Sequence, residues 1–139
     1  MSMDLVNERG TMHFTVYVWD QILALAAMRA YGWKPAGTLA PKDWASDGGG
    51  REWSGGYFWN GGQTVTAEDA ARLASALERA LDDIPDAYSA WHKAVEGKDG
   101  GPLIPVGANL SPLEALSGEN KTAVREFITF CRQGAFEIH

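Results

Sequence analysis

The chain is predicted to be an α+β protein, mainly helical, with three main helices and some short ones around a small antiparallel sheet. Three observations predict this. Apolar residues recur at helical spacing in three segments. An Asn-Gly turn signal follows a run of aromatics at Tyr57-Phe58-Trp59. The tail alternates apolar and polar residues, as a strand does when it buries one face.

From the N-terminus, MSMDLVNERG carries acidic residues and no apolar stretch. It is expected to be a loose leader over about residues 1–12 of a single domain spanning 1–139, and not an export signal. In FTVYVWDQILALAAMRAY, Val18, Ile22, Leu25, Ala26 and Arg29 recur at helical spacing, with Trp19, Leu23 and Ala26 as a neighbouring stripe. Thr15 serves as N-cap and Gly32 closes the helix, which places it at about 16–31. Residues 33–56 hold two prolines, six glycines and Trp33, Trp44 and Trp53. The glycines and prolines exclude long regular structure, and three indoles would pin such a loop to the body.

Residues 57–65 are expected to form a hairpin: Tyr57-Phe58-Trp59, a turn at Asn60-Gly61-Gly62, and a return strand Gln63-Thr64-Val65. Thr66 then caps a helix reaching about residue 84, with Asp69 at N3 in a capping-box-like spacing. Ala70, Leu73, Ala74, Leu77, Leu81 and Ile84 form its apolar face, Glu68 and Arg72 an i,i+4 pair on its polar face, and Pro85 ends it. A short helix is expected at 86–96 and a loop at 97–110. Ser111-Pro112-Leu113-Glu114 carries a cap, a proline at N1 and an acid at N3. Asn120 is expected to cap the last helix, about 121–133, with Val124, Phe127, Ile128 and Cys131 inward and Gly134 at its end. Phe136 and Ile138 mark the final strand, which is expected to join the 57–65 hairpin.

Several stretches resemble a family of small uncharacterised bacterial proteins. GYFWNGGQTVTAEDAARLASALERAL is similar to that family's Tyr strand, Asn-x-Gly-Gln turn and Asp-Ala-x-x-Leu-Ala-x-Ala-Leu helix. WDQILALAAMRAYGWKPAGT is similar to its first helix, and SPLEALSGENKTAVREFITFCRQGAFEI to its last helix and strand. The family pattern commonly has Asn-Asp-Gly-Gln where Gly61 stands here, and Gly-Gly-Phe where Ala135 stands. The resemblance implies an architecture and no activity.

Composition bounds the function. Hydrophobic residues make up 45% and charged residues 22%, so the chain can build a core. Net charge is −6 and the twelve basic residues are scattered, which argues against a nucleic-acid partner. No apolar run approaches a membrane span. Cys131 is the only cysteine, so the chain has no internal disulfide and is expected to be cytoplasmic.

The motifs for chemistry fail on inspection. Aligning Gly62 as the invariant glycine of a calcium loop puts Tyr57, Trp59 and Gly61 where oxygen donors belong. His13, His92 and His139 are isolated in sequence and Cys131 has no paired cysteine, so no metal site is expected. Cys131 lies on an apolar stripe, as a buried small side chain does. GGGREWSGG contains neither phosphate-loop pattern, WSGG is not a nucleophile elbow, and no cofactor is expected. The carboxylates Glu68/Asp69, Asp82/Asp83 and Asp86 are expected on solvated faces.

What remains is the aromatic stretch. Trp53, Tyr57, Trp59, Asn60 and Gln63 are the candidate ligand- or partner-binding residues, with Tyr57 and Trp59 sharing one face of a strand. The leading expectation is a non-catalytic interaction or binding protein, acting on a protein partner or a second copy of itself. An alternative is a small enzyme or small-molecule sensor with an aromatic pocket under the 33–56 loop and Glu68 or Asp69 as its acid or base. A further alternative is carbohydrate binding on Tyr57 and Trp59.

Overall fold

The computed structural model describes residues 2–44, 52–87 and 110–139. The architecture is α+β. Four antiparallel strands, β1 (Ser2–Asn7), β2 (Gly10–Thr15), β3 (Gln63–Val65) and β4 (Phe136–Ile138), lie in the order β2-β1-β4-β3. The helices are α1 (Val16–Ala27), α2 (Ala67–Leu81), the short α3 (Pro112–Ala115) and α4 (Glu119–Cys131).

The expected loose leader is instead a hairpin, and β1 is an interior strand. Met3 and Leu5 are fully buried and alternate with half-buried Asp4 and Val6. Period-2 burial fixes the register, pairing Met3 with Phe14 and Leu5 with Met12 on the core side. The turn is closed by Asn7, whose Oδ1 accepts from the backbone N–H groups of Arg9 (2.7 Å) and Gly10 (3.0 Å).

A second correction concerns residues 57–65. Only Gln63–Val65 is a strand, and its ladder partner is β4, with a single bridge from Leu39 to Thr64 on its other edge. Tyr57-Phe58-Trp59 does not pair. The hairpin of this fold therefore lies at residues 2–15, and the sheet combines that hairpin with β3 and the C-terminal strand.

The helices cover one sheet face. Thr15 caps α1 by accepting from the Val18 N–H at 3.2 Å. The helix ends at Ala27, earlier than expected, because Met28 turns to extended geometry (φ −57°, ψ 144°). Thr66 caps α2 and Ser111 caps α3 as predicted. Asn120 does not cap α4: the helix starts at Glu119 after Gly118 (φ +67°), and Asn120 Nδ2 donates to the Ala115 carbonyl at 3.2 Å. The helix expected at 86–96 lies outside the described residues beyond Ala87, as does the expected loop at 97–110 up to residue 109.

The core sits between α1, α2, α4 and the sheet. Phe127 meets Phe14 and Trp19 edge-on at 5.6 Å each, and Phe136 at 6.0 Å. Such ring pairs add to the apolar area they bury. Alanines 70, 74, 76 and 80 of α2 are fully buried beside Leu73 and Leu77, so small side chains alternate with large ones on the packed face of α2. Lys121 is buried on α4 and sends its Nζ to the Ile84 carbonyl and to Asp86 Oδ1, both at 2.8 Å. It thereby satisfies a carbonyl in the turn that follows α2. The other sheet face is mostly polar, with a cross-strand Asp4–His13 pair at 2.6 Å.

Candidate functional site

The site is built around the first turn of α2. Thr66 Oγ1 accepts from the Asp69 N–H at 3.1 Å, which fixes Asp69 at N3. A usual capping box would return the N3 carboxylate to the cap. Here Asp69 turns inward and is fully buried, the only buried carboxylate among the described residues. The solvated-face expectation for Asp69 is therefore corrected. Its carboxylate accepts from Tyr57 OH (2.6 Å) and Trp33 Nε1–H (3.0 Å), with the longer Ala36 N–H contact at 3.4 Å. These donors, with the positive end of α2, compensate the buried charge.

Tyr57 is held at both ends. Its hydroxyl accepts from the Gly37 N–H at 2.9 Å while donating to Asp69, and its backbone carbonyl accepts from Trp19 Nε1–H at 2.9 Å. The Trp33 ring stands edge-on to it at 5.4 Å. Burial first, and then the hydrogen bond to Asp69, push the Tyr57 hydroxyl well above its ordinary value. Tyr57 is thus a neutral anchor in the core.

Trp59 goes the other way. Trp59 is 53% exposed and Phe58 44% exposed while Tyr57 is buried, so Tyr57 and Trp59 do not share a face. Strand alternation fails here because no ladder constrains residues 57–59. Trp59 joins Trp44 and Trp53 in a surface cluster of edge-on indoles, with centroids 4.9 Å (Trp44–Trp53), 6.3 Å (Trp44–Trp59) and 6.2 Å (Trp53–Trp59) apart. Trp53 is locked by its Nε1–H on the Thr38 carbonyl at 2.9 Å, and Thr38 Oγ1 donates to the Gly56 carbonyl at 2.7 Å. A side chain at Gly56 would meet Trp59, since its Cβ would stand 3.2 Å from Trp59 Cδ1. Leu39, 57% exposed, follows Thr38 and bridges to the outer edge of β3.

The two amides serve the turn. Gln63 is fully buried; its Oε1 accepts from the Gly61 N–H at 3.1 Å and its Nε2 donates to the Trp59 carbonyl at 2.6 Å. One side chain thus closes the turn that a two-stranded ladder was expected to close. Asn60 Nδ2 donates to the Ser2 carbonyl and, at 3.2 Å, to the His139 carbonyl, tying the turn to β1 and the end of β4. At Gly62 (φ +89°) an added Cβ would stand 3.2 Å from the His139 ring, so glycine is required by both backbone and space.

The five predicted residues therefore divide. Trp53 and Trp59 form a surface cluster, Tyr57 and Gln63 are internal, and Asn60 is a structural tie. Asp69, expected only as the acid or base of the alternative pocket, is instead the buried hub, and the missed members are Trp33, Thr38 and Trp44. For Asp69 the signal was the N3 position beside a capping threonine; for Trp33 and Trp44 it was the surplus of indoles in a glycine-rich loop.

The same geometry limits the chemistry. Burial, with the Asp69 charge adding to it, pushes the Cys131 thiol well above its ordinary value, which disfavours the nucleophilic thiolate. Among the described residues no three His, Cys, Asp or Glu side chains stand together as a metal site. Also among the described residues, no helix is long and apolar enough to cross a membrane. Comparison of the chain with family models, curated proteins and solved structures gave no match.

Proposed function

We propose that this is a non-catalytic interaction protein whose contact surface is the Trp44–Trp53–Trp59 cluster, with exposed Phe58 next to Trp59 in the chain and exposed Leu39 next to Thr38, which holds Trp53. The observation that carries this reading is the exposure of Trp59. The residue is 53% exposed while its neighbours stand edge-on against its ring. Pre-positioned aromatic side chains bind with little ordering cost, and indoles are over-represented among the residues that dominate protein interfaces. Leu39, itself exposed, exchanges both backbone hydrogen bonds with Thr64 and so is held on the outer edge of β3. A second copy of the chain is the partner to test first, and a cytoplasmic setting fits the single, buried Cys131.

The test is light scattering at two protein concentrations for the wild type and Trp59→Ala. The expected result is a mass above 15.1 kDa that rises with concentration in the wild type and falls back in the variant. A wild type that stays at the monomer mass, with the variant indistinguishable from it, contradicts the reading.

A further inference from the structure

A second feature lies where α1 exits toward α2. An open groove of about 470 Å³ is lined by Trp33, Lys34, Ala71, Arg72, Ser75 and Arg79, with Gly32 at its end. Its lining carries three cations and no acid, on a chain whose net charge is −6. Arg72, Ser75 and Arg79 follow at i, i+3 and i+7, so they share one face of α2.

These cations lack a close carboxylate partner among the described residues. The i,i+4 partnership expected between Glu68 and Arg72 is not formed, and among the described residues Lys34, Arg72 and Arg79 make no ion pair. Arg79 is oriented by a neutral group: its Nε (3.1 Å) and Nη2 both donate to the Tyr31 carbonyl. Tyr31 is itself fixed by its hydroxyl on Asp83 Oδ2 at 2.7 Å. A guanidinium held on a carbonyl keeps its full charge and loses little freedom when an anion arrives. Ser75 adds a hydroxyl on the same face, and Trp33 and Ala71 supply apolar wall.

We infer that this groove is a binding site for a small phosphate-bearing ligand, held by Lys34, Arg72 and Arg79 with Ser75 as a further donor. A planar fork beside an ammonium suits a compact, multiply charged oxyanion. The chain's overall negative charge disfavours an extended polyanion, which would run off the groove onto acidic surface.

The test is a ¹H–¹⁵N NMR titration of the full chain with pyrophosphate and with citrate at constant ionic strength, sodium chloride serving as the control. Saturable shifts with pyrophosphate at Gly32, Lys34, Arg72 and Ser75 are expected. Arg72→Glu should weaken pyrophosphate binding at least about tenfold. Lys34→Ala, an exposed position before Pro35, should weaken it as well and covers the case in which Arg72→Glu fails to fold. Arg132→Glu, at the C-cap of α4 and paired with Glu78, should not change it. Shifts that match the chloride control, tighter binding of citrate than pyrophosphate, or binding untouched by the groove variants would each overturn the assignment. So would a single-stranded DNA oligonucleotide binding more tightly than pyrophosphate.

Discussion

At the residue scale the decisive side chain is Asp69. It is buried and takes hydrogen bonds from two elements that carry no regular structure, the segment after α1 and the segment before β3. Tyr57→Phe removes one donor to this carboxylate and one acceptor for the Gly37 N–H, and is expected to cost about 1–2 kcal/mol. Asp69→Ala leaves the Trp33 and Tyr57 donors unpaired and should cost about 3 kcal/mol. Because the two residues touch, a double-mutant cycle from denaturant unfolding should show a coupling of about 1 kcal/mol or more, whereas additive effects would refute the shared network.

The alkaline limb of stability belongs to the same scale. Tyr57 and Cys131 both keep their protons in the folded state at a pH where the unfolded chain releases them, from ordinary values of 10.0 and 9.0. The unfolded state then binds fewer protons, so stability is fully present below about pH 9 and falls as pH rises beyond it. Urea unfolding between pH 8 and pH 11 should show this decline, and Tyr57→Phe should make it shallower. A flat profile in the wild type would contradict the buried positions of both groups.

At the element scale, α2 and α4 are legible in the sequence because their signals are local. A capping threonine and the helical spacing of Leu73, Leu77 and Leu81 define α2 without reference to the rest of the chain, although the helix ends at Leu81 and not at the expected 84. The first strands are not legible. MDLVN alternates, but it is short and has polar neighbours, and its pairing with β4 joins residues more than 130 positions apart. Residues 57–59 mislead for the opposite reason. Three aromatics have high strand propensity, yet Tyr57 finds its hydrogen bonds on Asp69 and Trp19, and Gln63 closes the turn in place of a ladder. Half of the candidate site is visible as a surplus of rings, but which ring faces water depends on these distant partners.

The interior position of β1 has a direct consequence. Deleting residues 1–7 removes the strand that joins β2 to β4, together with the Met3 and Leu5 side chains of the core. The truncated chain is expected to lose cooperative thermal unfolding and the dispersed NMR spectrum of a folded domain. A native spectrum after this deletion would show that the sheet does not need the N-terminal strand. The acid side adds a smaller test. Lys121 holds the exposed Asp86 carboxyl below the usual carboxylate range, so that pair stabilises at neutral pH and fades as pH falls through the acidic range.

At the scale of the whole molecule, the surface separates into regions of different character. The outer sheet face is mostly polar, the groove between the α1 exit and α2 is cationic, and the Trp44–Trp53–Trp59 cluster is aromatic. The segment 53–63 links interior to surface: Tyr57 anchors it and Trp59 is displayed. Anchoring thus falls to Tyr57 and contact to Trp59, and sedimentation velocity on three proteins separates the two roles. Wild type and Tyr57→Phe should associate alike, although Tyr57→Phe unfolds at lower denaturant concentration, while Trp59→Ala should be as stable as the wild type and sediment as a monomer. Loss of association in Tyr57→Phe with Trp59→Ala still associating would contradict the account.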